Sequence, residues 1–329
     1  MMRSLAELTT LRVGGTPNSL VVATTEAEII AAITSNPDAL ILGGGSNVLI
    51  SDGFNGDVIK IESQGFENDE SACAGAWVTV AAGHNWNDFV SAAVANGWTG
   101  IEGLAGIPGT VGATPIQNVG AYGQSVSDTI AQVRAWNKKT KSVDTIFAAD
   151  CEFGYRTSIF KKQPDTWVIL SATFQLPPGT MSAPIAYNEL AAKLNVELGD
   201  RVATSDLQAA VLELRSGKGM VLDSADHDTW SVGSFFMNPR VAVAPANAPN
   251  WPEADGTVKV SAAWLIEQAG FNRGFTLNGR AAISSKHTLA ITNRGNATSA
   301  DISELADHIV QGVKAKYDIE LKPEATFID

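Results

Sequence analysis

The sequence predicts a mixed α+β chain built from more than one compact unit. Strand and helix signals alternate through the first 60 residues and again after Trp77. Short β-rich runs follow, and helical stripes recur after residue 205. A length of 329 residues is enough for two or three units, each with its own core.

The elements follow in order. SLVVAT reads as a strand. Thr25-Glu26-Ala27-Glu28 is a capping box that opens an amphipathic helix to about Ser35. ALILGG and GDVIKIES are the next strands, which makes a small α/β unit with a glycine turn at its edge. WVTVAAG begins a second unit, and the segment after it sets Trp86, Phe89, Val90, Ala93 and Val94 at helical spacing until Gly97 stops it. Residues 103–123, GLAGIPGTVGATPIQNVGAYG, are too rich in glycine for a stable helix or strand. They read as a long ordered loop whose backbone approaches something flat or charged. IAQVRAWNKKTKSVDTIFA and WVILSATFQL are β-rich, and PPGTMSAP is a linker into a segment carrying Tyr187. Ser205 caps a helix with Leu207, Ala210, Val211 and Leu214, stopped by Gly217. VGSFFMNP, the helix SAAWLIEQAG and a last helix with Ile302, Leu305, Ala306, Ile309, Val310 and Val313 in one stripe complete the chain. The main domain division falls between residues 200 and 216.

Composition excludes several function classes. Hydrophobic content of 45% and charged content of 18% are those of an ordinary globular protein. Lys+Arg 23 against Asp+Glu 35 gives a net charge of −12, so nucleic acid and anionic membrane are poor partners, and an anionic small ligand needs local positive charge. No apolar stretch approaches the roughly 18 residues of a membrane span, and MMRSLAELTT lacks the apolar region of a signal peptide. Cys73 and Cys151 are isolated, as in a reduced cytoplasm, and four scattered histidines offer no metal site.

Two stretches point to a ligand. In LILGGGSNVLIS, three glycines end an apolar strand, and their N–H groups can form an anion-binding nest. The same stretch is also compatible with a tight turn between strands, and it has neither a P-loop ending nor the full GxGxxG spacing. With the second glycine-rich stretch it suggests an extended ligand gripped twice, with Thr114, Gln117 and Asn118 available to read a heterocycle edge. Arg156, in CEFGYRTSIFKK, is either a snorkelling surface side chain or a carboxylate clamp. Ser234 in SVGSFFMNP lies in no nucleophile elbow, and Glu324 in LKPEATFID follows a proline. By themselves they read as a packed serine and a surface carboxylate; Tyr187 and Lys218 read either way.

LGGGSNVLI, GLAGIPGTVGATPIQNVGAYG, CEFGYRTSIFK, GSFFMNP, WLIEQAGF and PEATFI occur in this order over most of the chain. The ordered set resembles the UDP-N-acetylenolpyruvoylglucosamine reductase (MurB) family, type I branch. The resemblance implies an α+β fold with a two-subdomain FAD-binding region of the vanillyl-alcohol-oxidase (PCMH) type, over residues 1–200 with a subdomain break near residue 60. A C-terminal α/β substrate-binding domain then spans 201–329, its last segment returning Glu324 to the active site. Gly43, Gly44, Gly45, Ser46 and Asn47 look like the loop for the FAD diphosphate. Ile107, Gly109, Thr114, Gln117, Asn118, Gly120 and Tyr122 look like the grip along the flavin. Tyr187 resembles the tyrosine of a mobile loop that closes over the UDP-sugar, and Lys218 and Asn238 are the other substrate contacts. Thr326 stands where relatives often carry a basic residue, and the sequence given stops at Asp329, so a contact supplied there elsewhere is expected to be missing.

The implied chemistry is a conjugate reduction of an enol ether attached to a carboxylate, with NADPH as hydride donor and non-covalently bound FAD as carrier. Negative charge builds beside the carboxylate, so the site needs a fixed cation there, which Arg156 supplies, and an acid, which is Ser234 in a dry environment. Glu324 helps as a hydrogen-bond donor only when protonated, which calls for a raised pKa. The resemblance places the enzyme in the cytoplasm, as a monomer without nucleic-acid or membrane partners. A sugar or alcohol oxidase on the same fold, or a non-catalytic nucleotide-sugar binder, is the alternative. The first often tethers FAD through histidine, and neither glycine stretch contains one.

Overall fold

Apolar side chains collect into two cores, and the chain contributes to them in alternation. The computed structural model describes residues 3–71 and 75–329. One unit consists of Asn18–Gly44 and Gly56–Ser216. The other gathers the segment up to Pro17, Gly45–Asn55 and Gly217–Asp329.

The first unit contains two sheets. Strands Ser19–Ala23, Asp57–Ile61 and Leu40–Leu42 form a parallel sheet with Asp57–Ile61 in the centre. Parallel strands of one sheet need a crossover, and the helix Glu26–Ser35 provides the one from Ser19–Ala23 to Leu40–Leu42, the two strands that flank the centre. Its capping box forms as expected, with the Glu28 N–H donating to the Thr25 hydroxyl at 3.2 Å and the Thr25 N–H donating to the Glu28 carboxylate at 3.2 Å. An antiparallel sheet runs in the order Ser142–Phe147, Ile130–Asn137, Trp167–Leu176, Gly75–Ala81, Phe66–Ser71. Gly75–Ala81 buries every second side chain, as a strand with one packed face does. The helix Trp86–Ala95 lays Trp86, Phe89, Val90 and Ala93 into the core, with the rings of Phe89 and Phe174 5.1 Å apart.

The second unit is built on the helix Ser299–Tyr317. Ile302, Leu305, Ala306, Ile309 and Val313 are buried along it, the stripe expected from their spacing. Thr298 and Asp301 close a second capping box, and the Arg280 guanidinium beside Asp301 holds that carboxylate well below its usual range. Thr326–Ile328 pairs in parallel with Val48–Ile50, residue against residue.

The second unit takes up the chain from Gly217 onward and also the segments up to Pro17 and from Gly45 to Asn55, because Val48–Ile50 finds its strand partner at the C-terminal end. Inside the first unit, Asp57–Ile61 belongs to the parallel sheet and the next strand along the chain, Phe66–Ser71, to the antiparallel one. Ser205 lies in the first turn of its helix, which begins at Thr204. Cys151 is buried, and burial, reinforced by Asp150, pushes its thiol up to about 12; Cys73 lies outside the described residues. Among the described residues no helix is long and apolar enough to cross a membrane.

Candidate active site

In the first unit the two glycine-rich stretches meet. A Cβ added to Gly44 would stand 2.5 Å from Gly109 Cα and 3.0 Å from its carbonyl carbon, and one added to Gly43 would stand 2.7 Å from the Thr110 hydroxyl. Glycine at 44 is therefore required by a second backbone, and glycine at 43 by the Thr110 side chain. Gly109 is itself left-handed (φ +124°), and its carbonyl accepts from the Trp86 N–H at 3.1 Å, which ties the contact to the start of the buried helix. The Gly44 N–H has no acceptor among the described residues.

Residues 103–123 are more ordered than a loop. They contain 3₁₀ turns at Glu102–Leu104 and Val111–Ala113 and a short pairing of Gly120–Ala121 with Gln124–Ser125. The Thr114 hydroxyl is buried and donates to the Val111 carbonyl at 2.8 Å, so it holds its own turn. Asn118 is also buried. Its side chain donates to the Gly154 carbonyl (3.2 Å) and accepts from the Ser127 N–H (3.1 Å). Gln117 and Ile107 are half-buried, and so is Tyr122.

Arg156 sits at the tip of a tight turn. Gly154 and Thr157 exchange two backbone hydrogen bonds of 3.0 and 3.3 Å around Tyr155 and Arg156. The turn is stitched to the glycine-rich stretch by Arg156 Nη2 donating to the Gly120 carbonyl (3.0 Å), by Asn118, and by the Ser158 hydroxyl on the Ile116 carbonyl (2.5 Å). Arg156 (φ +54°) and Tyr122 (φ +48°) both occupy the left-handed region. That conformation costs a side-chain-bearing residue about 1–2 kcal/mol, and strain of this kind concentrates at functional sites. The Tyr187 ring, 48% exposed, meets the Tyr122 ring edge-on at 6.1 Å and lies against Gly123. The Arg215 guanidinium is pushed down to about 10 by desolvation, against the pull of Tyr122.

In the second unit, Ser234 and Glu324 come from chain segments joined backbone to backbone. The Glu324 N–H donates to the Phe235 carbonyl at 2.8 Å and the Met237 N–H to the Lys322 carbonyl at 3.0 Å. Ser234 is half-buried, between a left-handed Gly233 (φ +74°) and a fully buried Phe235. Asn47 holds the other side of the same segment. Its side-chain amide donates to the Glu324 carbonyl (3.3 Å), and its own carbonyl accepts from the Thr326 N–H (3.0 Å). Thr326 has an exposed side chain and a backbone engaged in the terminal strand. Asn238 accepts the Ala262 N–H at 2.9 Å, which fixes the start of the helix Ala262–Gln268, and Lys218 is half-buried. The N–H groups of Gly45 and Ser46 have no acceptor among the described residues.

Sequence reasoning missed Lys60, Thr110 and Arg215. Lys60 Nζ donates to the Gly43 carbonyl, so a cation stands directly behind the first glycine stretch. The available signal was a lysine inside the apolar strand DVIKI, one strand over from the glycines. Thr110 and Arg215 carry no comparable signal, since their partners are distant in the chain.

Comparison with known proteins places the chain. It is 50% identical to the UDP-N-acetylenolpyruvoylglucosamine reductase of Cutibacterium acnes, an alignment covering 98% of this chain and 89% of that one. It is 48% identical to the reductase of the same name from Streptomyces avermitilis, over 97% and 92%. The profile described as the UDP-N-acetylenolpyruvoylglucosamine reductase C-terminal domain matches residues 224–328, and an FAD binding domain profile matches residues 17–145. The crystal structure of UDP-N-acetylenolpyruvylglucosamine reductase (MurB) from Thermus caldophilus shares the fold, with a TM-score of 0.68 at 24% identity over 100% of both chains.

Proposed function

The chain belongs to the UDP-N-acetylenolpyruvoylglucosamine reductase family, and from that membership we propose that it reduces UDP-N-acetylglucosamine enolpyruvate to UDP-N-acetylmuramate for peptidoglycan synthesis, using FAD and NADPH. The observation that carries the reading is 50% identity along 98% of the chain.

The residues present fit the cofactor. The N–H groups of Gly44, Gly45 and Ser46 have no protein acceptor among the described residues. Backbone N–H groups are rarely left unpaired away from water, and such a donor set suits a diphosphate. Gly43 to Asn47 would hold that diphosphate, and Ile107, Gly109, Gln117, Asn118, Gly120 and Tyr122 would line the flavin, with Thr114 keeping their turn in shape. Bound FAD supplies a two-electron carrier between NADPH and the enolpyruvyl carbon–carbon double bond.

The chain's own groups do the rest. Arg156, a planar cation held by Gly120, binds the enolpyruvyl carboxylate with two parallel N–H donors and stabilises the charge that spreads into it. Ser234 gives a proton to the carbon beside that carboxylate. Glu324, when protonated, donates a hydrogen bond to the same charge. Tyr187 covers the nucleotide sugar, Lys218 meets its diphosphate, and the Asn238 amide N–H₂ meets the sugar while its oxygen stays on Ala262. The enzyme acts as a cytoplasmic monomer.

An anaerobic two-step experiment tests this reading. The protein should purify yellow, and acid precipitation should release the colour into the supernatant. NADPH should bleach it, and the enolpyruvyl sugar nucleotide should restore the oxidised spectrum. A colourless protein, or a reduced flavin indifferent to that substrate, ends the reading. Reduction by simple sugars or alcohols instead would favour an oxidase.

A further inference from the structure

Lys60 lies on the central parallel strand, in register with Leu42, the last residue before the first glycine stretch. Its ammonium is half-buried and donates to the Gly43 carbonyl. A trans peptide points its C=O and the following N–H in opposite directions. Holding the Gly43 oxygen on the lysine therefore turns the Gly44 N–H to the far side, where no acceptor among the described residues takes it. Withdrawing an ammonium from water is unfavourable unless something negative or strongly polar repays it. In a chain of net charge −12, an anionic ligand also needs a cation close to where it binds.

We propose that Lys60 is a positioning residue for the FAD diphosphate: it fixes the Gly43–Gly44 peptide with the Gly44 N–H facing the ligand, and it places a weakly screened positive charge behind that peptide. The proposal rests on the FAD reading above and adds a residue to it. Burial pushes the Lys60 ammonium below its ordinary range and Glu62 acts against that, so the charge stands in a poorly hydrated place. A charge so placed is screened by salt far less than a surface one.

The test is FAD binding to apoprotein, followed by flavin fluorescence across a series of salt concentrations. Lys60→Met should weaken FAD binding by about 10- to 100-fold, the range for losing a charged hydrogen bond, and the loss should persist as salt is raised, because a half-buried charge is screened little. Lys60→Arg should recover most of the affinity. Lys60→Gln, which can still donate to the Gly43 carbonyl, should keep part of it. If Lys60→Met fails to fold, as judged by far-ultraviolet circular dichroism, Lys60→Gln decides. The proposal is overturned if Lys60→Met binds FAD within about twofold of wild type, if the loss disappears at high salt as that of a surface charge would, or if Lys60→Gln binds as wild type does. A wild-type chain that takes up no FAD overturns the family reading itself; a wild type that binds beside an indifferent Lys60→Met overturns only this proposal.

Discussion

At Gly44 an added methyl would stand 2.5 Å from Gly109 Cα, whereas the Glu324 segment is held by hydrogen bonds from or to Phe235 and Asn47 of 2.8 to 3.3 Å. The first arrangement works by absence: two backbones interlock because neither carries a side chain there. The second works by donors and acceptors, each of which can be removed singly. Steric interlocks of this sort fail abruptly, because rigid backbone cannot move a few tenths of an ångström to admit an atom. Hydrogen-bonded clips fail by degrees, about 1 kcal/mol at a time.

Ser234→Ala gives the largest expected effect, because on the proposed mechanism it removes the acid while leaving the clip around Glu324 whole. FAD binding and flavin reduction by NADPH should stay near wild type, while reoxidation by the enolpyruvyl substrate falls by about 10²–10⁴-fold. Ser234→Cys should recover part of it. Stopped-flow reoxidation reads both variants, and a fast Ala variant would show that Ser234 only packs against its neighbours.

Gly44→Ala is next. Overpacking of this kind costs about 1–3 kcal/mol, visible as a lower denaturation midpoint together with weaker FAD binding. Gly43→Ala should be milder, since the obstacle there is the Thr110 hydroxyl at 2.7 Å, and adding Thr110→Ala should relieve most of it. Equal losses at Gly43 and Gly44 would undo the distinction between a backbone and a side-chain obstacle.

Asn47→Ala should be graded. It removes the 3.3 Å bond to the Glu324 carbonyl and leaves the backbone pairing to Thr326. About 1 kcal/mol is at stake, so reoxidation should slow by roughly fivefold. A loss as large as that of Ser234→Ala would mean that the clip is not independent of the acid.

The smallest effects differ in sign with pH. Asp301 is lowered from 3.8, mainly by Arg280, so it contributes stability that is present above that value and is lost as the pH falls through its folded value. The stability gap between wild type and Asp301→Asn should be flat at neutral pH and close in acid. Lys60 is lowered from 10.5 by burial, so the unfolded chain binds the extra proton, and wild-type stability rises with pH between the folded value and 10.5. Apo Lys60→Met should thus melt higher than wild type at neutral pH, with the gap closing in alkali. Urea titrations across pH check both.

The sequence revealed what is local. The Thr25–Glu28 box, the buried alternation of Gly75–Ala81 and the stripe of the last helix each need only a few neighbouring residues. The same Thr-x-x-acid spacing at Thr298–Asp301 was equally legible. Glycine at 43 and 44 announced a close approach, but the sequence could not say that the approaching groups are the Thr110 hydroxyl and the Gly109 backbone and not a ligand. The membership of Gly45–Asn55 in the second unit depends on a strand near residue 326, and no window of sequence spans that distance. Thr114 resembled a ligand-reading side chain because its hydroxyl was visible and its partner, the Val111 carbonyl, was not.

The pairing of Val48–Ile50 with Thr326–Ile328 also sets a timetable. A ribosome moving at roughly 5–20 residues per second exposes the early strand on the order of ten seconds or more before its partner exists. Throughout that interval Val48, Leu49 and Ile50 present an unpaired apolar edge, open to any passing strand. Glu324 arrives with the same late segment, so the nascent protein completes the Gly43–Asn47 stretch long before the carboxylate proposed to act with it. Chaperone occupancy on stalled chains should therefore persist until residues 326–328 have cleared the exit tunnel.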